Sequence, residues 1–172
     1  MATTSSARRE IVRCERNLWM AQESRLTLSA CKVLNDLCRI QVKEAADGDR
    51  LTPGLALVAP GNVHMTLAKR GSEYRVYIQD GPRVCYQRPA VDVLFESVAV
   101  AAGRDAIGVL LTGMGADGAQ GMLKMQRAGA KTIAQDEASC VVFGMPKEAI
   151  RAGGVDRVLT LDRIPQAILA SL

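Results

Sequence analysis

The residues with the clearest chemical potential lie between Ala106 and Ala130, where the chain reads AIGVLLTGMGADGAQGMLKMQRAGA. A lone carboxylate, Asp117, is set in a glycine-rich turn, Gly113-Met114-Gly115-Ala116-Asp117-Gly118. One use of such a turn is to cradle a phosphate on exposed backbone N–H groups at the start of a helix. Gly113-x-Gly115-x-x-Gly118 fits the dinucleotide pattern, with Asp136 or Glu137 about 20 residues on. Two features weigh against that use. Asp117 places a negative charge where a pyrophosphate would lie, and the motif comes late, with about fifty residues after it, whereas the dinucleotide fingerprint sits on a first strand.

The elements that must position this turn follow from the flanking pattern. Ile107 to Leu111 is an unbroken apolar run that predicts a strand buried on both faces. Met122, Leu123, Met125 and Gln126 recur at helical spacing, and Ala128-Gly129 reads as the C-cap. Upstream, Ile40 to Lys43 alternates like a half-buried strand, and Leu55 to Ala59 reads as a buried one. His64–Ala68 and Tyr74–Gln79, joined by Lys69-Arg70-Gly71-Ser72, predict a β-hairpin. Ala90 to Ala102 predicts a helix with Val91, Leu94, Phe95 and Val98 on one face.

Downstream, Lys131–Ala134 predicts a strand, and Asp136 to Ala138 the cap of a short helix. Met145-Pro146 opens a helix ended by Gly153-Gly154, with Pro suited to a first turn. Arg157–Thr160 and Leu161–Leu169 predict a last strand and a last helix, with Asp162 near the positive end of that helix. Residues 1 to about 35 lack Gly and Pro; a helix from Glu10 to Gln22 and another from Thr27 to Cys38 are the readings there. The fold expected is α/β, a mostly parallel sheet flanked by helices with an antiparallel hairpin at one edge, incomplete at the N-terminus.

Composition narrows the function. The net charge of +4 is spread along the chain without interleaved aromatics, which argues against nucleic-acid binding. Cys14, Cys31, Cys38, Cys85 and Cys140 are odd in number and without CxxC spacing, so they read as buried reduced thiols of a cytoplasmic protein, with no metal site. No stretch approaches the ~20 apolar residues of a membrane span, and the N-terminus shows no secretory h-region.

Four segments resemble one family. Leu111-Thr112-Gly113-Met114-Gly115-Ala116-Asp117-Gly118 is similar to the signature of the catalytic domain of bacterial chemotaxis protein-glutamate methylesterases. The run from Thr132 to Pro146 (TIAQDEASCVVFGMP), the run from Arg88 to Phe95 (RPAVDVLF) and the run from Ala59 to Met65 (APGNVHM) match as well, in the family's order. The resemblance implies hydrolysis of glutamyl methyl esters, and glutamine deamidation, on the cytoplasmic regions of methylated chemoreceptors. It implies a Ser-His-Asp triad on an α/β sheet, with no cofactor. Carried over, Asp117 matches the triad aspartate, which holds and charge-balances the histidine. Met114 matches a residue whose backbone N–H helps bind the oxyanion.

The family's G-A-S-T-G-G nucleophile turn and Q-H-M-P histidine segment have no counterpart in this sequence, nor is there a G-x-S-x-G. The one histidine, His64, aligns with a non-triad position, and Ser5, Ser6, Ser24 and Ser29 lie in no sharp glycine turn. Losing Ser or His alone costs a triad enzyme about 10⁶ in kcat. The expectation is therefore a divergent or foreign segment, residues 1–33, followed by the C-terminal part of a methylesterase-like catalytic domain, residues 34–172, inactive alone. The alternatives are a non-catalytic domain that binds receptors or a partner and, more distantly, a dinucleotide-binding domain. Gln87 and Cys85 replace His and Asn often found in the family's D-G-P segment, and Cys140 reads as buried packing.

Overall fold

The computed structural model describes residues 18–20 and 27–172. The order is β1 (Leu18–Met20), α1 (Thr27–Leu37), β2 (Gln41–Glu44), β3 (Leu55–Val58), β4 (His64–Arg70) and β5 (Glu73–Gln79). Then come α2 (Val91–Ala101), a 3-10 turn at Gly103–Asp105, β6 (Ile107–Leu110), α3 (Ala119–Arg127), β7 (Lys131–Gln135), α4 (Met145–Arg151), β8 (Arg157–Leu159) and α5 (Ile164–Leu169). The strands form a parallel sheet in the order β1-β3-β2, the antiparallel pair β4-β5, and a second parallel sheet β6-β7-β8. The expected α/β architecture with its hairpin is the one observed.

β3 is buried at every position because it lies between two strands and under covering chain, the environment that a continuous apolar run fits. The main core joins Leu57 to Met65, Val76, Leu94, Val98 and Met125, so β3, the hairpin, α2 and α3 share one interior. β6 departs from expectation. It is an outer strand of its sheet, and its burial alternates: Gly108 and Leu110 are buried, Ile107 and Val109 half-buried, and Leu111 lies beyond the strand, exposed. α3 lies directly over Gly108, where a Cβ would come within 3.0 Å of the Met122 sulfur.

Local signals account for much of the remainder. α3 ends in a Schellman motif: Ala130 N–H donates to the Met125 carbonyl, Gly129 N–H donates to that of Gln126, and Gly129 adopts φ +86°. Pro146 falls in the first turn of α4, as its fixed φ favours.

Three local readings need correction. Leu18–Met20 is a strand paired in parallel with Ala56–Val58, where a helix from Glu10 to Gln22 was expected; the rest of that span lies outside the described residues. Asp136 caps a turn, accepting the Ser139 N–H, and no helix follows, because the chain goes on to run beside Thr112 and Gly113. Cysteine burial also differs: Cys31 is buried, Cys38 and Cys140 are half-buried, and Cys85 is exposed. Cys140 leads into Val141 and Val142, which are exposed because they edge the glycine turn. Cys14 lies outside the described residues.

Candidate active site

The glycine turn spans the gap between the end of β6 and the start of α3. It is pinned from one side by the end of β7 and the chain that follows it. Thr112 N–H donates to Gln135 Oε1 at 2.9 Å, and Gly113 N–H donates to the Val142 carbonyl at 3.1 Å. The Thr112 hydroxyl in turn accepts the Val142 N–H at 2.9 Å. Gln135 is fully buried and its amide is fully used, since Nε2 donates to the Ser139 carbonyl. Gly144 packs so closely that a Cβ there would lie 2.7 Å from the Gly113 carbonyl oxygen. Gly118 takes φ +90°, a left-handed conformation that glycine adopts without a Cβ penalty.

Asp117 is 4% exposed, and its carboxylate points away from its own helix toward α2. Oδ2 accepts the Val91 N–H at 2.8 Å and Oδ1 accepts the Asp92 N–H at 2.9 Å. These are first-turn amides with no intrahelical acceptor, so Asp117 caps α2 from 25 residues away along the chain. Asp92 answers from the other side. Its Oδ1 accepts the Gly121 N–H at 2.7 Å, in the first turn of α3. The helices meet so closely that a Cβ on Gly121 would lie 2.5 Å from the Phe95 Cβ.

Asp92 is the residue that sequence reasoning passed over. Its signal was its place, an acid in the first turn of a largely apolar helix. Burial pushes its carboxyl up from the ordinary value, the Asp117 charge adds to that, and the Gly121 and Gly118 N–H groups pull it back. Cys85 sits at the edge of this pair, its Sγ 3.9 Å from Asp92 Oδ2, on a tight turn where Cys85 and Tyr86 both have positive φ. Burial, then the charges of Asp92 and Asp117, push the Cys85 thiol up. Cys85, Asp92 and Asp117 bring three potential ligand atoms within 4.8 Å of one another. Three of the four carboxylate oxygens there already face backbone N–H groups, so the arrangement serves helix capping.

A cavity of about 300 Å³ opens beside the pair, lined by Cys85, Asp92, Ala116, Ala119, Gln120, Glu148, Arg151 and Ala152. Met114 stands at the surface of the turn, 84% exposed, and among the described residues its N–H meets no acceptor. His64 is buried, but its ring is committed elsewhere: Nε2 donates to the Pro82 carbonyl at 2.9 Å and Nδ1 accepts the Ala90 N–H. That pair of bonds selects one neutral tautomer. Among the described residues no histidine or serine side chain bonds Asp117. Ser29 lies on α1, while Ser5, Ser6 and Ser24 fall outside the described residues. No described helix is long and apolar enough to cross a membrane.

Comparison with known proteins bears on this geometry. A family model described as CheB methylesterase matches residues 19–168. A protein-glutamate methylesterase/protein-glutamine glutaminase of Salmonella typhimurium is 60% identical over 146 residues, which is 85% of this chain and 42% of the relative. A second such protein, from Syntrophus aciditrophicus, is 59% identical over 143 residues, 83% of this chain and 42% of the relative. The chain thus spans well under half the length of these relatives. The crystal structure of the Thermotoga maritima CheB methylesterase catalytic domain superposes with a TM-score of 0.87 at 31% identity, covering 98% of this chain and 92% of that one. With the family model matching most of the chain and the α/β frame shared with a solved catalytic domain, the chain belongs to the CheB methylesterase family.

Proposed function

We propose that this chain supplies the aspartate-and-oxyanion part of a protein-glutamate methylesterase catalytic site. The reaction served is hydrolysis of glutamyl methyl esters on the cytoplasmic regions of bacterial chemoreceptors, releasing methanol and leaving a carboxylate, with glutamine deamidation as the companion activity. The observation that carries this reading is Asp117, buried and held by two amides in the glycine turn that matches the family motif. In this role its carboxylate orients and charge-balances a histidine that takes the nucleophile's proton. The Met114 N–H, on an exposed turn, donates to the oxyanion of the tetrahedral intermediate, where a pre-positioned donor lowers the barrier. The setting is the cytoplasm, and no cofactor takes part.

The chain's own residues complete only this part. The sequence has one histidine, and its two ring nitrogens are engaged away from Asp117. In this reading residues 1–33 form a divergent segment and residues 34–172 the catalytic-domain part. That same histidine favours a second reading, a non-catalytic domain that binds receptor regions or a partner. Methanol release from a methylated receptor fragment tests the assignment, and the chain alone stays at background. Release that survives Asp117→Ala but not a serine-directed inhibitor overturns it. Sequencing the upstream DNA in all frames separates the two readings: a G-A-S-T-G-G segment supports the esterase, and its absence supports the binding domain.

A further inference from the structure

The geometry points to Asp92 as a positioning residue that holds the Asp117 carboxylate in place through a reciprocal clamp between two helix N-termini. The inference rests on the reading above only for what that carboxylate is for; the clamp itself stands on distances. Asp117 precedes α3 and caps α2, through Val91 N–H at 2.8 Å and Asp92 N–H at 2.9 Å. Asp92 lies in the first turn of α2 and caps α3, through Gly121 N–H at 2.7 Å. Each acid therefore fastens the helix that the other belongs to. Both side chains are at least nineteen-twentieths buried, so water does not readily replace either acceptor.

The clamp closes only because the helices are in contact. Gly121 faces the Asp92 backbone, where an added Cβ would lie 3.2 Å from Cα, so α3 presents its amide at bonding distance. Gly118, left-handed at φ +90°, directs the chain from Asp117 into α3, with Leu110 and Val91 at 2.9 Å from the place of a Cβ. Loosening the first turn of α3 would thus turn the Asp117 backbone. The carboxylate would then leave the Val91 and Asp92 amides. Asp92 touches no reacting atom, and its effect on the site passes through Asp117.

Hydrogen exchange resolved by NMR on the full 172-residue chain tests this. Among the described residues the Val91 N–H bonds Asp117 alone and the Gly121 N–H bonds Asp92, so the two report the two halves of the clamp separately. In Asp92→Ala both amides exchange about tenfold faster or more beyond any change at core amides such as Ile133, which report global stability. Asp92→Asn keeps an oxygen toward Gly121 and brings both amides back to within about threefold of wild type. If Gly121 loosens in Asp92→Ala and Val91 does not, Asp92 merely caps α3 and the positioning role is overturned. If Asn is as loose as Ala, or if Val91 loosens no more than Ile133, the clamp is overturned too. Exchange needs no turnover, so a failed esterase reading and a failed clamp give different results.

Discussion

Replacing Asp117 with alanine is expected to destabilise the fold, although this is the residue proposed for chemistry. Functional carboxylates often sit in strained or repulsive surroundings, and their removal then leaves stability unchanged or raises it. Here the carboxylate receives two amides, at 2.8 and 2.9 Å, and is 4% exposed. A hydrogen bond to a charged group contributes about 1.5–3 kcal/mol, and the two bonds share one acceptor group, so they do not add fully. Truncation also leaves the Val91 and Asp92 N–H groups without their acceptor at a buried position. The expected loss is about 3 kcal/mol, a sizeable share of the 5–15 kcal/mol that holds a typical domain together.

Asparagine is a partial repair only. One of its two termini is an NH₂ group, which faces an amide donor, so Asp117→Asn is expected to lose about 2 kcal/mol. Urea unfolding followed by far-UV circular dichroism measures both variants, and an unchanged slope with denaturant shows that the change is one of stability. In a thermal scan a loss of about 3 kcal/mol corresponds to about 6–12 °C for a chain of this size. A loss under about 1 kcal/mol for Asp117→Ala, or any gain, refutes the capping argument.

Three further outcomes follow from the same geometry. Gly118→Ala places a Cβ at φ +90° and 2.9 Å from both Leu110 and Val91, and should cost about 2 kcal/mol or more by urea unfolding; a neutral result would mean the turn relaxes freely. Asp156 is raised by its burial, but bonds from Gln126 and from the Thr132 amide and hydroxyl outweigh this and hold its carboxyl below the ordinary value. The stability it contributes is therefore complete above the unfolded pKa of about 3.9 and is lost as the pH falls through the lower folded value. Asp156→Asn should accordingly be less stable than wild type near pH 7, and the deficit should shrink toward about pH 3; a deficit that grows on acidification contradicts the assignment. Cys85 is exposed, yet burial and the Asp92 and Asp117 charges disfavour its thiolate. Its alkylation should be slower in the folded chain than after unfolding and should quicken in Asp92→Asn, as site-resolved mass spectrometry reads; equal rates would remove the electrostatic explanation.

The sequence by itself determined the strand, glycine turn and helix around Asp117, because each is specified by neighbours within a few residues. The apolar run from Ile107 to Leu111, the glycine-rich turn and the C-cap at Ala128-Gly129 are local matters of sterics and periodicity. The hairpin of β4 and β5 was legible for the same reason, and the family motifs named Asp117 and Met114. Only the tertiary structure decided what holds them. Asp92 and Asp117 are 25 residues apart, and no local pattern shows that each caps the other's helix. The strand Leu18–Met20 owes its existence to pairing with β3, since three residues carry no alternation of their own. Cys140, read as buried packing, turns out half-buried on a segment that edges the glycine turn, because Thr112 and Gly113 bond the Val142 backbone. Propensity and pattern act along the chain, whereas capping, strand pairing and burial are settled by which segments meet, and at this site that meeting places the carboxylate.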